Sequence, residues 1–310
     1  MNNNFLISGI GGDIAQALCR ILKSHYNNSF LFGTDINSKH AGTLFVDRFQ
    51  EIEAAQYEEK YIQSILNIIK DNNINFFIPT SEQEIEVVNK NLHLFKNFKV
   101  IFPGSKVVNN CIDKYTTNKF LSSIDILTPW SSLKPSSLIN YPCIFKSRKG
   151  AGSKVLFEVD DEEEANYLST KYKNGIFQEL LLPKENEITC GVFRSKNGKT
   201  SSIQFQRLLN EGTTLWAKTV YIKEIDDLCI KVASELDLIG SMNIQLINTK
   251  SGPQIFEINP RFSSTVFMRH LLGFSDVIWS IKDSIGLSYE IPIINENIEM
   301  VRTQKSEFLK

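Results

Sequence analysis

The chain has 310 residues, 42% hydrophobic and 22% charged, the composition of a globular protein with room for two domains. Its 34 basic and 35 acidic residues nearly cancel, whereas a nucleic-acid binder carries a clear basic excess. No apolar run reaches the roughly 18 residues of a membrane span, and the start Met1-Asn2-Asn3-Asn4 lacks a signal peptide's basic region.

The five cysteines form no C-x-x-C pair, so reduced thiols in a cytoplasmic protein are expected. The first hundred residues alternate strand and helix patterns. Phe5-Leu6-Ile7-Ser8 is a short apolar run that ends in Gly9-Ile10-Gly11-Gly12-Asp13. Ile14, Ala15, Leu18, Ile21 and Leu22 then recur at helical spacing. Ser29-Phe30-Leu31-Phe32-Gly33 predicts a second strand, residues 58–70 a second helix, and Asn75-Phe76-Phe77-Ile78-Pro79 a third strand. A helix over 83–95 and a strand from Val100 close the series. Such alternation predicts a parallel sheet covered by helices, a Rossmann-like domain over residues 1–105. The Gly9/Gly11 turn with Asp35 is close to a dinucleotide fingerprint, but Ile14 stands at its third glycine position, which argues for a structural turn lining a pocket.

After residue 105 the pattern becomes α+β. A helix is expected over 113–121, then a Ser/Pro-rich loop, then strands at 143–146 and 154–157 joined by a glycine turn. An acidic helix over 161–172 precedes strands at 176–181, 187–194, 200–206 and 215–222. A helix at 224–237 and strands at 242–248 and 253–258 complete a largely antiparallel sheet.

Two segments carry chemistry on their own. In Lys146-Ser147-Arg148-Lys149-Gly150-Ala151-Gly152-Ser153-Lys154, a glycine-containing tip lets backbone N–H groups approach phosphate oxygens while the cations supply charge. It lacks Walker A spacing, and a plain basic hairpin is the competing reading. In Ile255-Phe256-Glu257-Ile258-Asn259-Pro260-Arg261, alternation puts Glu257 and Asn259 on one strand face. Asn243 and Gln245 share a face of the preceding strand, so Gln245 is expected near Glu257 and Asn259. Gathered oxygen ligands of this kind suit Mg²⁺ shared with phosphates. As a strand-face carboxylate outside the packing core, Glu257 is expected to contribute little to stability.

The order Asp113-Lys114, Lys146 before a Gly/Ser loop, Gln178-Glu179-Leu180-Leu181, Glu187, Gln245 and Glu257-Ile258-Asn259-Pro260-Arg261 resembles the ATP-grasp superfamily. The likeness is greatest to its carbamoyl-phosphate-synthase-like and pyrrolysine-biosynthesis-ligase-like members, and it includes the Ile78-Pro79-Thr80-Ser81-Glu82 loop of the leading domain. The resemblance implies a pre-ATP-grasp domain over 1–105, a two-lobed ATP-grasp domain over 106–290 with a lid at about 128–182, and a C-terminal tail over 291–310. It implies that Lys114 and Lys146 hold the ATP phosphates, with Arg148, Gly152 and Ser153 in a phosphate lid. Glu179, Leu180 and Leu181 would form the adenine hinge, and Glu187, or Glu185, would bind ribose. Gln245, Glu257 and Asn259 fall at metal positions, and Arg261 where an arginine steadies the phosphoryl group. Arg207 is a candidate for a substrate carboxylate, although a surface ion pair is the plainer reading, and Ser263 and Ser264 are candidates for cradling it. The implied activity is ATP-dependent carboxylate–amine ligation through an acyl phosphate, with Mg²⁺ (or Mn²⁺) and small acid and amine substrates. No nucleic acid or membrane is involved, and a homodimer is an open option. A carbamoyl- or carboxy-phosphate-forming enzyme and a non-catalytic ATP-binding subunit are the alternatives.

Overall fold

The computed structural model describes residues 3–135, 140–150, 155–210 and 212–303. The N-terminal part runs β1 (Asn4–Ser8), α1 (Asp13–His25), β2 (Phe30–Asp35), β3 (Arg48–Glu51), α2 (Glu58–Asp71), β4 (Phe76–Ile78), α3 (Glu82–Lys90) and β5 (Lys99–Val100). Its strands form one parallel sheet of order β3-β2-β1-β4-β5. Phe5, Leu6, Ile7, Phe76, Phe77 and Ile78 are buried, which is why these strands read as continuous apolar runs. Helix α1 covers one face with Ala15, Leu18, Ile21 and Leu22, and α2 the other with Tyr61, Ile65 and Ile69. The sequence pattern misses β3, whose residues Arg48-Phe49-Gln50-Glu51 lie on the sheet edge and carry no buried run.

Next come α4 (Ser105–Cys111), α5 (Lys114–Ser123), β6 (Ser131–Ser132), β7 (Cys143–Ser147), β8 (Leu156–Val159), α6 (Glu162–Lys171) and β9 (Gly175–Glu179). A four-stranded antiparallel sheet, order β6-β9-β7-β8, packs Phe145, Val159, Ala165, Leu168 and Phe177 into a small core with α6. The second strand of the hairpin begins at Leu156, later than the spacing predicts, and residues 151–154 lie outside the described residues.

The remaining elements are β10 (Glu187–Arg194), β11 (Thr200–Asn210), β12 (Thr213–Val220), α7 (Lys223–Glu235), β13 (Gly240–Thr249), β14 (Gly252–Asn259), α8 (Val266–Leu271), α9 (Asp276–Ser284) and β15 (Glu299–Val301). They build a six-stranded sheet of order β14-β13-β10-β11-β12-β15. Ile188, Cys190, Val192, Met242, Ile244 and Leu246 form its apolar face, packed against Ile225, Cys229 and Val232 of α7. Opposite residues of antiparallel strands share a face, so the pairs Thr189–Gln245, Asn243–Asn259 and Gln245–Glu257 line the other side. Within the segment expected to be a tail, β15 pairs with β12 at the sheet edge. Among the described residues no helix is long and apolar enough to cross a membrane, and all five cysteines are buried and unpaired as disulfides.

The small sheet leaves no room at Gly175. A Cβ there would lie 2.0 Å from the Phe145 ring. Gly175→Ala should therefore cost about 1–3 kcal/mol through overpacking, measured as a shift of the urea midpoint. A loss below about 0.5 kcal/mol, the scale of an ordinary surface change, would show that the ring yields freely.

Candidate active site

Three elements converge on Glu257. Asp113 caps α5, accepting hydrogen bonds from the N–H groups of Tyr115 and Thr116, and so fixes Lys114 at the first helical position. From there Lys114 Nζ reaches Glu257 Oε1 at 3.1 Å and the Gly150 carbonyl at 3.0 Å. From β7, Lys146 Nζ donates to the Phe256 carbonyl at 3.3 Å and lies 5.1 Å from the Phe256 ring centroid. That carbonyl is available because Phe256 is the extra residue of a β-bulge. Gln245 pairs with Glu257 and Leu246 with Ile255, leaving Phe256 without a cross-strand partner.

The electrostatics follow from burial. Lys114 and Lys146 are both only 8% exposed. Burial, helped by the charge of Lys114 and opposed by Glu257, pushes the Lys146 ammonium down to about 8. Burial alone would raise the Glu257 carboxyl, but Lys114, Lys146 and Arg261 outweigh it and hold the group below its ordinary value. Glu257 is therefore a carboxylate at neutral pH, flanked by two lysines.

Around this centre the polar sheet face brings most of the expected residues together. The Gln245 carboxamide lies 2.9 Å from Glu257 Oε2 and 3.3 Å from Asn259 Nδ2, and also meets the Arg207 guanidinium. One carboxylate and two amides in contact fit a magnesium ion that takes its remaining ligands from phosphates and water. They do not make a self-sufficient metal cage, and among the described residues no cluster of three His, Cys, Asp or Glu exists. Arg261 Nη2 donates to Asn259 Oδ1 at 3.0 Å, and Nη1 to the Phe262 carbonyl at 3.0 Å. Arg148 pairs with Asp113 Oδ2 at 2.8 Å, and its carbonyl accepts from Lys114 N–H at 3.0 Å, tying the root of the basic hairpin to α5.

Several expectations change. Arg207 makes an ion pair, yet not a surface one. Its side chain is 4% exposed, and Nε and Nη2 both donate to Glu187 Oε1, at 3.2 and 2.8 Å. Glu185 is exposed on the short 3₁₀ turn before β10, whereas Glu187 stands in the sheet beside the other polar residues. Glu179 spends its N–H on the Trp130 carbonyl, at 3.0 Å, and its carboxylate on the Trp130 N–H, at 3.2 Å, and Leu180 and Leu181 follow directly after the strand. The hydroxyls of Ser263 and Ser264 are also engaged. Ser263 accepts from Arg269 at 2.8 Å, and Ser264 pairs with Thr214 at 2.9 Å. Gly152 and Ser153 lie outside the described residues.

Sequence reasoning gave no role to Asp113, Glu82, Arg269 or Arg302. An Asp before a helical pattern signals a cap, which could have exposed Asp113. Arg269 is fully buried in a pair with Asp276, at 2.6 Å, and Arg302 donates to the Ser264 carbonyl at 2.5 Å. Nothing local in the sequence marks those contacts. Asp35, for its part, folds back on the glycine turn: Oδ2 accepts from Gly11 N–H and Oδ1 from Ile36 N–H, both at 2.7 Å. The carboxylate that would read a ribose in a dinucleotide site is thus a turn clamp.

Because Glu257 neutralises buried lysines, its removal costs more than a strand-face position implies. Glu257→Gln should destabilise the chain by about 2 kcal/mol, below the figure for a wholly buried pair because 18% of the side chain is exposed. Urea unfolding measures this. A neutral outcome would show that water already screens the triad.

The ATP-grasp domain family pattern matches residues 111–265, half of the chain. No curated protein matches by sequence. Among solved structures, the N5-carboxyaminoimidazole ribonucleotide synthetase of Thermus thermophilus superposes with a TM-score of 0.76 at 14% identity, covering 96% of this chain and 82% of that one. The biotin carboxylase domain of Hydrogenobacter thermophilus 2-oxoglutarate carboxylase, a dimer in complex with MgADP, ADP and bicarbonate, gives a TM-score of 0.73 at 17% identity. That superposition covers 96% of this chain and 73% of the domain. Biotin carboxylase from Campylobacter jejuni gives 0.72 at 16% identity, covering 96% and 74%. With the family pattern on half the chain and the fold shared along nearly all of it, this protein is a member of the ATP-grasp family.

Proposed function

We propose that the chain is an ADP-forming carboxylate–amine ligase that takes ATP with Mg²⁺ and activates a small acid as an acyl phosphate. The observation that carries this reading is the convergence of Lys114, Lys146 and Arg261 on Glu257 and Asn259, which gathers three cations around one carboxylate and one amide. A carboxylate cannot be attacked directly by an amine at useful rates, because oxide is a poor leaving group. In the first step a carboxylate oxygen of the acid attacks the γ-phosphorus in line, and the bond to the ADP oxygen breaks. In the second the amine adds to the acyl carbon, the carbon–oxygen bond to the phosphate breaks, and the amine's proton leaves with the inorganic phosphate. This division of labour asks the protein for positioning and charge neutralisation rather than for a nucleophile.

Each residue has a part in that chemistry. Lys146 and Lys114 bind phosphate oxygens, and Arg261 faces the phosphoryl group in flight, where charge develops. Gln245, Glu257 and Asn259 would hold Mg²⁺, which when bound neutralises charge on the phosphate chain. Leu180 and Leu181 follow β9 where the adenine is expected. Glu187 gives Arg207 only Oε1, which leaves Oε2 to accept from ribose hydroxyls. A carboxy-phosphate reading, with bicarbonate as the acid, has support in the bicarbonate found with the Hydrogenobacter domain. Bicarbonate belongs in the same acid screen, where it competes directly with organic acids.

Acid-dependent release of ADP and phosphate is the expected outcome, with oxygen-18 from the substrate carboxylate appearing in the phosphate and hydroxylamine trapping the activated acid as a hydroxamate. Arg261→Ala should lower kcat by about 10² to 10³, the cost of one donor at a developing charge, with ATP affinity much less affected. AMP and pyrophosphate as products would end this reading. ATP binding without any acid-dependent turnover would favour a nucleotide-sensing subunit.

A further inference from the structure

Arg261 stands apart from the other cations of the site in what holds it. Lys114, Arg148 and Arg207 pair with carboxylates of the ATP-grasp sheets and of α5, namely Glu257, Asp113 and Glu187. Arg261 pairs instead with Glu82, the first residue of α3 in the N-terminal domain, with Nη2 3.3 Å from Oε1. The contact is sheltered, with 12% of the arginine side chain and 9% of the glutamate exposed. Its other partners, the Phe262 carbonyl on Nη1 and the Asn259 side chain on Nη2, are sequence neighbours on the same strand end, so they hold the guanidinium only relative to its own strand. Glu82 is the external anchor.

The anchor is itself rigid. Ser81 caps α3 by accepting from Glu84 N–H, at 3.3 Å, while Glu84 Oε2 accepts from Ser81 N–H, at 3.0 Å, closing a capping box around Glu82. Thr80 Oγ1 donates to the Ser8 carbonyl at 2.8 Å, which ties the segment to the end of β1. A Cβ on Gly9 would lie 2.8 Å from Thr80 Oγ1, so the glycine turn and this segment are packed together. The carboxyl ends of β1 and β4, where the strand order of the parallel sheet reverses, thus lead through three residues to the guanidinium.

We propose that Glu82 is a positioning residue. It holds the Arg261 guanidinium in the orientation that meets the transferring phosphoryl group, so that the N-terminal domain sets the geometry of a chemical step carried out by the ATP-grasp lobes. This rests on the acyl-phosphate reading given above. Displacement of a catalytic group by about 1 Å costs on the order of 10²-fold in rate, and an arginine held only by its own strand end is no longer fixed against the N-terminal domain. Among the described residues Glu82 has no hydrogen bond or ion pair with Lys114, Lys146 or residues 179–181, so its removal leaves those groups with the partners they have.

The test compares Glu82→Ala and Glu82→Gln in the full chain. Turnover is ADP release with whichever acid supports the fastest acid-dependent release by the unaltered chain. Glu82→Ala should lower kcat by about tenfold to hundredfold, with the KM for ATP little changed, while the melting temperature falls in Glu82→Ala and Glu82→Gln alike because both leave the Arg261 charge without a carboxylate. Glu82→Gln, which keeps an oxygen acceptor, should recover part of the loss. A rise in the KM for acid or amine at unchanged kcat would make Glu82 a substrate ligand and overturn the proposal, as would a rise in kcat. A second readout needs no substrate. In chain labelled with nitrogen-15 arginine, and assigned by Arg261→Lys, hindered rotation should keep the two Arg261 Nη signals distinct. Exchange between those signals should be faster in Glu82→Ala than in the unaltered chain or Glu82→Gln, because Asn259 and Phe262 alone then hold the guanidinium. Identical spectra for the unaltered chain and Glu82→Ala would refute the anchoring. Should the unaltered chain release no ADP with any acid, the ligase reading falls on that ground alone, and the spectra still decide whether Glu82 holds Arg261.

Discussion

Two lysines buried against one carboxylate are an expensive arrangement, and the fold is built around keeping it. Moving a charge out of water costs several kcal/mol after relaxation, and only close pairing with further hydrogen bonds offsets that. Lys114, Lys146 and Glu257 come from α5, β7 and β14, so the triad forms only when the four-stranded sheet, the six-stranded sheet and the connecting helix are all in place. The supporting features have this placement as their common consequence. Asp113 caps α5 and grips Arg148, the bulge at Phe256 turns a carbonyl towards Lys146, and the apolar face of the large sheet packs on α7 so that the polar face is left for chemistry.

Much of this was legible in the sequence where the signal is periodic. Alternation along β13 and β14 placed Gln245, Glu257 and Asn259 on one face, and the strand register has them there. The strand–helix rhythm of the first hundred residues corresponds to the parallel sheet, since strands buried on both sides read as unbroken apolar runs. What stayed hidden depends on contacts between distant segments. The bulge at Phe256 has no local marker, because Ile255-Phe256-Glu257 alternates like any strand until its partner is known. Arg207 and Glu187 sit on neighbouring strands, and their pairing needs the β10–β11 register. The Glu82–Arg261 pair joins two separately patterned regions.

Asp35 shows how near a local pattern can come to a different function. Glycines after a first strand and an acid after the second describe a dinucleotide site, and the chain has both. The difference lies in the direction of one carboxylate. In a dinucleotide fold it faces a ribose; here it accepts from Gly11 and Ile36 N–H and satisfies the turn itself. The close approach of His40 to Gly11, within 2.9 Å of where a Cβ would stand, completes a packed turn. Ile14 at the third glycine position already favours the structural turn in the sequence, and the geometry shows what Asp35 does there instead.

The distribution of charge in the site explains why it should take an anion. Among the described residues, four of its five cations have a carboxylate of their own: Lys114 has Glu257, Arg148 has Asp113, Arg207 has Glu187 and Arg261 has Glu82. Lys146 is the fifth. Its hydrogen-bond partner is a peptide carbonyl, it shares in the field of a carboxylate already paired with Lys114, and burial pushes its ammonium down to about 8. A buried ammonium in that position is the least satisfied charge of the cluster, and the group that would meet it best carries strong acceptor oxygens and negative charge without adding bulk to the protein. Phosphate oxygens have those properties. The carboxylates of the other four cations fix where they point in the absence of any ligand, which is the preorganisation the proposed phosphoryl transfer would ask of Lys114 and Arg261, while Lys146 would add the unspent attraction for the phosphates.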